Sequence, residues 1–149
     1  MIATSEGWAV PQCILVVLAH PDDPEFFCGA SIARWVKAGH QVHYCLFTYG
    51  DRGSSNVDED ISDLVRRREI EQRAAAARLG VNSVEFLGYP DGYLVPDLDN
   101  RKAVVRMIRK YRPDILVSCD PLNYYTYDLY INHPDHRAAA EAAITQEDR

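Results

Sequence analysis

The 149-residue sequence predicts an α/β fold: a doubly wound, mostly parallel sheet with helices on both faces. Three observations carry that expectation. Strand-like and helix-like stretches alternate along the chain, which implies repeated right-handed strand–helix–strand units. The first strand, Cys13-Ile14-Leu15-Val16-Val17-Leu18, is apolar throughout, as expected when both sheet faces are covered. Directly behind it stands Ala19-His20-Pro21-Asp22-Asp23-Pro24-Glu25-Phe26, which delivers an imidazole and two adjacent carboxylates to the C-terminal strand end, where open α/β sheets place their ligands.

The other elements follow in order. Residues 29–38 predict a helix, with Ile32, Ala33, Trp35 and Val36 near one stripe and Gly39 behind them. Residues 41–47 read as a second strand. The stretch 48–54 is too rich in glycine and polar groups to be anything but a loop. A long helix is expected over 61–79, stopped by Gly80. A short strand over 83–87 precedes the turn-forming Gly88-Tyr89-Pro90-Asp91-Gly92. Val104, Val105, Ile108 and Tyr111 fall at helical spacing within 100–111, and Arg112-Pro113-Asp114 punctuates the start of a fourth strand over 114–119. A loop carrying Tyr124, Tyr125, Tyr127 and Tyr130 leads to His133-Pro134-Asp135-His136, where Pro134 suits the first turn of a last helix through Ala143. The pattern is Rossmann-like, with no repeat, low-complexity tract or linker.

By length, residues 1–149 are expected to be a single domain. Hydrophobic content of 47% and charged content of 26% are ordinary for a globular protein. A net charge of −6 argues against nucleic acid as a partner, because the one basic run, Arg66-Arg67-Arg68, is followed at once by Glu69 and Glu71 and reads as a solvated helix face. The four cysteines form no C-x-x-C pair, so they are expected to be reduced and the protein cytoplasmic. Residues 1–12 lack a basic leader, and the apolar run after them is too short to span a membrane.

The two histidine clusters carry the chemistry. Catalytic zinc is commonly held by three histidine or carboxylate ligands with one position left for water. His20 with one of Asp22 and Asp23 supplies two ligands, a histidine of the second cluster supplies a third, and the remaining carboxylate stands where a general base is needed for amide or ester hydrolysis. Taken singly, the first cluster also reads as an N-capping turn and the second as exposed polar residues; both clusters belong at one rim of the sheet, which favours the joint reading. The same donor set would accept Fe(II), Co(II) or Mn(II). A nucleotide-binding reading is disfavoured, because acidic residues replace the glycine-rich loop that a phosphate needs.

Five motifs in order resemble the LmbE-like, or PIG-L, family of zinc-dependent N-acetylglucosaminyl deacetylases: Ala19–Asp23 with Glu25, Thr48-x-Gly50-x-x-Gly53, Arg68-x-x-Glu71 with Leu79-Gly80, Leu87–Gly92, and His133–Arg137. The resemblance implies a hydrolase that removes the acetyl group from an N-acetylglucosamine-type conjugate. It implies His20, Asp23 and His136 as zinc ligands, and Asp22 as the general base. His133 would stabilise the oxyanion, Asp135 would orient an imidazole, and Arg68 and Asp91 would hold sugar hydroxyls. Two departures bear on substrate. Ile131 stands where branches acting on inositol-linked sugars carry tyrosine, with Tyr130 one step earlier. The chain also ends at Ile144-Thr145-Gln146-Glu147-Asp148-Arg149, where family members continue, so the expectation is a minimal domain or a fragment. Alternative readings are an amidase for another small-molecule amide, such as a thiol conjugate or antibiotic intermediate, and a non-catalytic remnant that binds metal and sugar. The partner is a small molecule; oligomeric state, including a homo-oligomer, stays open.

Overall fold

A computed structural model describes residues 7–126 and 130–145. Strands β1 (Cys13–Leu18), β2 (Gln41–Thr48), β3 (Ser83–Tyr89) and β4 (Ile115–Val117) form one sheet in the order β3-β2-β1-β4, with every pairing parallel. Helices α1 (Asp23–Lys37), α2 (Ile61–Leu79), α3 (Leu98–Tyr111) and α4 (Pro134–Ile144) cover it. The predicted doubly wound α/β class is the one observed.

Alternation within the apolar strands explains why they are apolar throughout. Leu15, Val17, Cys45 and Phe47 face a core completed by Val104 of α3 and by Ala138, Ala139, Ala142 and Ala143 of α4. Ile14, Val16, Leu18, Val42, Tyr44 and Leu46 face the opposite core, with Ile32 and Trp35 of α1 and Ala76 of α2. Strands β1 and β2 thus bury both sets of side chains. All four cysteines are free thiols, and among the described residues no helix is long and apolar enough to cross a membrane.

Local chemistry sets the element ends. The Asp60 side chain caps α2 by accepting from the backbone N–H groups of Ser62 and Asp63. Gly80 ends α2 in the left-handed conformation (φ 77°), close enough to α1 that an added Cβ would lie 2.8 Å from Val36 Cγ1.

Three expectations need correction. Helix α1 begins at Asp23 rather than at 29, with proline in its first turn. Its backbone breaks at Cys28 (φ −143°, ψ 20°), so the apolar stripe read from the sequence marks only the second segment. Strand β4 spans Ile115–Val117 rather than 114–119; Asp114 instead ties down the start of β1, its N–H donating to Cys13 O and its carboxylate accepting from Cys13 N, each at 2.8 Å. The tyrosine-rich segment is not wholly a loop, since β5 (Tyr125–Thr126) and β6 (Tyr130–Ile131) pair antiparallel. Tyr127, residues 1–6 and residues 146–149 lie outside the described residues.

Candidate metal centre

The end of β1 is stitched to the end of β2 before the site begins. Both the N–H and the hydroxyl of Thr48 donate to Ala19 O, at 2.9 and 3.1 Å. Beyond this junction the chain delivers His20, Asp22 and Asp23, and α4 brings His133, Asp135 and His136 to the same rim.

His20, Asp23 and His136 form a group whose ligand atoms all lie within 4.8 Å of one another. His20 Nδ1 and His136 Nε2 are 3.3 Å apart. His136 Nε2 lies 3.1 Å from Asp23 Oδ1, and His20 Nδ1 lies 3.5 Å from Asp23 Oδ2. Donors bonded at about 2.0–2.1 Å to a tetrahedral ion sit roughly 3.3 Å apart, so the spacing fits one cation among three donors.

The outward atoms of both rings are also held. His136 Nδ1 is 3.0 Å from Asn132 Oδ1, and His20 Nε2 is 3.0 Å from Asp91 Oδ1 and 3.3 Å from Asp135 Oδ2. Oxygen acceptors there place the ring protons outward and leave Nε2 of His136 and Nδ1 of His20 as inward lone pairs, the usual outer shell of metal-binding histidines. His20, His133 and Asp135 form a second possible group. It would use the His20 nitrogen that already faces two carboxylates, and Asp135 is fully buried with its oxygens accepting from Gly92 N (2.7 Å) and Leu94 N (3.2 Å). The first group therefore fits a metal better.

The electrostatics call for positive charge. Burial works against a charged His20, yet hydrogen bonds to Asp135, Asp23 and Asp91 carry its pKa up to about 11. Burial likewise opposes ionised Asp23, but His136 and His20 hold its carboxyl well below the usual range. A divalent ion on the inward lone pairs answers the same demand that protons answer here.

The consecutive carboxylates diverge because Asp22 sits in the left-handed region (φ 79°). Asp23 is buried among the donors, whereas the Asp22 side chain is 73% exposed. Arg68 of α2 reaches under it, its Nη2 donating to Pro21 O at 3.0 Å and to Asp22 Oδ2 at 3.2 Å. This arginine explains the glycines of the 48–54 loop. A Cβ on Gly50 would lie 2.6 Å from Arg68 Nε, and one on Gly53 would lie 2.9 Å from Nη1. His133 caps α4, with Nδ1 accepting from Asp135 N at 3.2 Å. Burial, reinforced by His20, lowers its pKa, so the neutral ring carries its proton on Nε2.

All eight residues singled out from the sequence lie on or beside this centre. Asp22, Arg68, Asp91 and His133 line one polar cavity of about 440 Å³ that His20, Asp23 and His136 share. Asp91, expected among substrate contacts, has Oδ1 on His20 while Oδ2 accepts from Arg52 N at 3.2 Å. A more apolar cavity of about 420 Å³ shares Asp22, Asp23, His133 and His136 with the polar one and is bounded further by Phe26, Phe27, Tyr130 and Ile131. Sequence reasoning missed Asn132, four residues before His136. Arg137, which closes the His133–Arg137 motif and was given no role there, donates to Asn132 O at 2.8 Å and lies over the Tyr124 ring at 4.4 Å.

Residues 15–146 match the profile of PIG-L, described as GlcNAc-PI de-N-acetylase. The chain belongs to the PIG-L family. It is 34% identical to the diacetylchitobiose deacetylase of Thermococcus kodakarensis over 131 residues, 88% of this chain and 47% of that one. Among solved structures, N,N'-diacetylchitobiose deacetylase from Pyrococcus horikoshii superposes with a TM-score of 0.81 at 30% identity, covering 89% of this chain and 48% of that one. The 4-carboxy-2-hydroxymuconate hydratase from Pseudomonas putida gives 0.72 at 29% identity, covering 88% and 55%. This PIG-L chain thus spans about half the length of the relatives it matches.

Proposed function

We propose that this chain carries the centre of a zinc-dependent hydrolase that removes the acetyl group from an N-acetylglucosamine-type conjugate. The observation that carries this reading is the exposed Asp22 carboxylate on the same polar cavity as the buried His20, Asp23 and His136 donors. A site that only bound metal would have no use for a second, solvent-facing carboxylate beside it. The PIG-L match and the deacetylases named among its relatives support the substrate class.

When bound by His20, Asp23 and His136, zinc would polarise the amide carbonyl and acidify a water molecule. Asp22 accepts the proton of the attacking water while Arg68 holds its Oδ2, and then returns that proton to the leaving amine. His133 donates from Nε2 to the developing oxyanion, its tautomer set by the α4 cap. Asp135 and Asp91 keep the His20 ring in place. Arg52 and Arg68 line the cavity where sugar hydroxyls would lie. Four free thiols support a cytoplasmic setting.

The test is release of primary amine from N-acetylglucosamine conjugates, with zinc-loaded protein, a chelated control and Asp22→Asn. Zinc-dependent amine release that Asp22→Asn abolishes is the expected result. Folded, zinc-loaded protein that releases no amine from diacetylchitobiose or simple N-acetylglucosaminides would overturn the reading. Addition of water to a carbon–carbon double bond, the reaction type in the name of the Pseudomonas neighbour, releases no amine and would then be the next activity to assay.

A further inference from the structure

Gln72 is a polar residue of α2 with only 2% exposure, and none of the roles assigned above uses it. Its Oε1 accepts the backbone N–H of Asp22 at 2.6 Å. Its Nε2 donates to both oxygens of Glu25, at 3.1 and 3.0 Å. Glu25 accepts a further bond from the hydroxyl of Tyr44, a fully buried side chain of β2, at 3.2 Å. A continuous run of hydrogen bonds therefore links a rigid core strand to the peptide at Asp22.

That peptide is the point where the two carboxylates part. Asp22 is the N-cap of α1 but makes no side-chain cap bond, and its backbone is left-handed. An aspartate at an N-cap ordinarily turns its carboxylate back onto the helix N–H groups. Here the backbone N–H is anchored from behind, so the carboxylate is free of the capping role and stands over the cavity. The amide side chain meets both demands, offering an acceptor to Asp22 N and a donor to the Glu25 carboxylate. Glutamate keeps the acceptor but sets one carboxylate against another, and methionine supplies neither group.

We propose that Gln72 is a positioning residue, fixing the direction of the Asp22 carboxylate without touching substrate or metal. This rests on the reading of Asp22 as general base, and the test separates the two. The 149-residue chain is prepared as parent, Gln72→Met, Gln72→Leu and Asp22→Asn. Thermal stability, zinc Kd, kcat and KM on diacetylchitobiose, and hydrogen exchange with φ-sensitive coupling at the Asp22 amide are measured. In Gln72→Met, the Asp22 amide should lose protection and its left-handed coupling. Zinc Kd and KM should stay within about threefold, with kcat falling roughly 10- to 100-fold, the scale of a misplaced catalytic group. If Gln72→Met does not fold, Gln72→Leu, which also lacks the acceptor, carries the same expectations.

An unchanged Asp22 amide in a folded Gln72 variant overturns the proposal, whether or not the parent turns over. So does a kcat that holds while that amide is released, or a zinc Kd that weakens in step with kcat. If Asp22→Asn abolishes turnover and the Gln72 variants keep the parent kcat, only the positioning role fails. Full turnover by Asp22→Asn removes the base assignment, and the positioning role with it.

Discussion

His20 Nδ1 and His136 Nε2 face each other at 3.3 Å although 116 residues separate them in sequence. Both rings aim a nitrogen inward, with the Asp23 carboxylate beside them, an arrangement that a cation stabilises. Zinc should therefore raise the melting temperature. At free zinc near 100 times Kd the gain is about 2.7 kcal/mol, or roughly 5–10 °C for a domain of this size. Scanning calorimetry with and without chelator measures it. His136→Ala should abolish the zinc-dependent rise; a rise that survives in that variant would place the ion elsewhere.

Gly50 has φ 67° and lies under Arg68. Gly50→Ala asks an L side chain to take the left-handed conformation, at about 1–2 kcal/mol, and pushes Arg68 away from Asp22 and Pro21 O. Urea denaturation should show at least that loss. Gly53 has no positive φ, and a Cβ there would meet the guanidinium at 2.9 Å and Gly50 O at 3.3 Å, so without the backbone penalty Gly53→Ala should cost less. Equal costs would mean that the backbone angle at Gly50 is not what its glycine serves.

Much of this centre was legible because its parts are sequence-local at each strand end. His20-Pro21-Asp22-Asp23 and His133-Pro134-Asp135-His136 each arrive as one short run, and parallel strands bring such runs to one rim. Long-range partners were not legible. Nothing in the neighbourhood of Gln72 announces that its amide meets Asp22 from 50 residues away. The start of α1 was hidden because the break at Cys28 divides its apolar stripe. The β5–β6 pair was hidden because two-residue strands give no alternation to count.

Glu85 gives the fold a carboxylate whose pKa is lowered, first by the hydrogen bond from Lys110 and next by that from the Tyr111 hydroxyl at 2.7 Å. Its folded-state pKa lies below the unfolded value of about 4.3. The stability it contributes is thus complete above that value and is lost as pH falls through the folded pKa. The difference in melting temperature between the parent and Glu85→Gln should be constant near neutrality and shrink between about pH 5 and pH 3. A difference that grows on acidification would reverse the sign of this linkage.

Asp135 joins two motifs that lie far apart in sequence. From the first turn of α4 its fully buried carboxylate accepts from Gly92 N and Leu94 N while facing His20 Nε2. Asp135→Ala leaves two backbone donors without partners, at about 1–3 kcal/mol each, so equilibrium unfolding should show a loss of about 2–6 kcal/mol. Asp135→Asn keeps one acceptor and turns an NH₂ toward a donor, so its stability should fall between parent and alanine. Zinc affinity should behave differently. Both variants remove the charge that holds the His20 ring proton, so both should weaken zinc binding by roughly 10- to 100-fold, the usual effect of losing an outer-shell carboxylate. Titration calorimetry beside the unfolding data separates the two roles. A loss of stability with unchanged zinc affinity would make Asp135 a strut for the 92–94 turn alone, and Asp91, at 3.0 Å, would then be the carboxylate that orients His20.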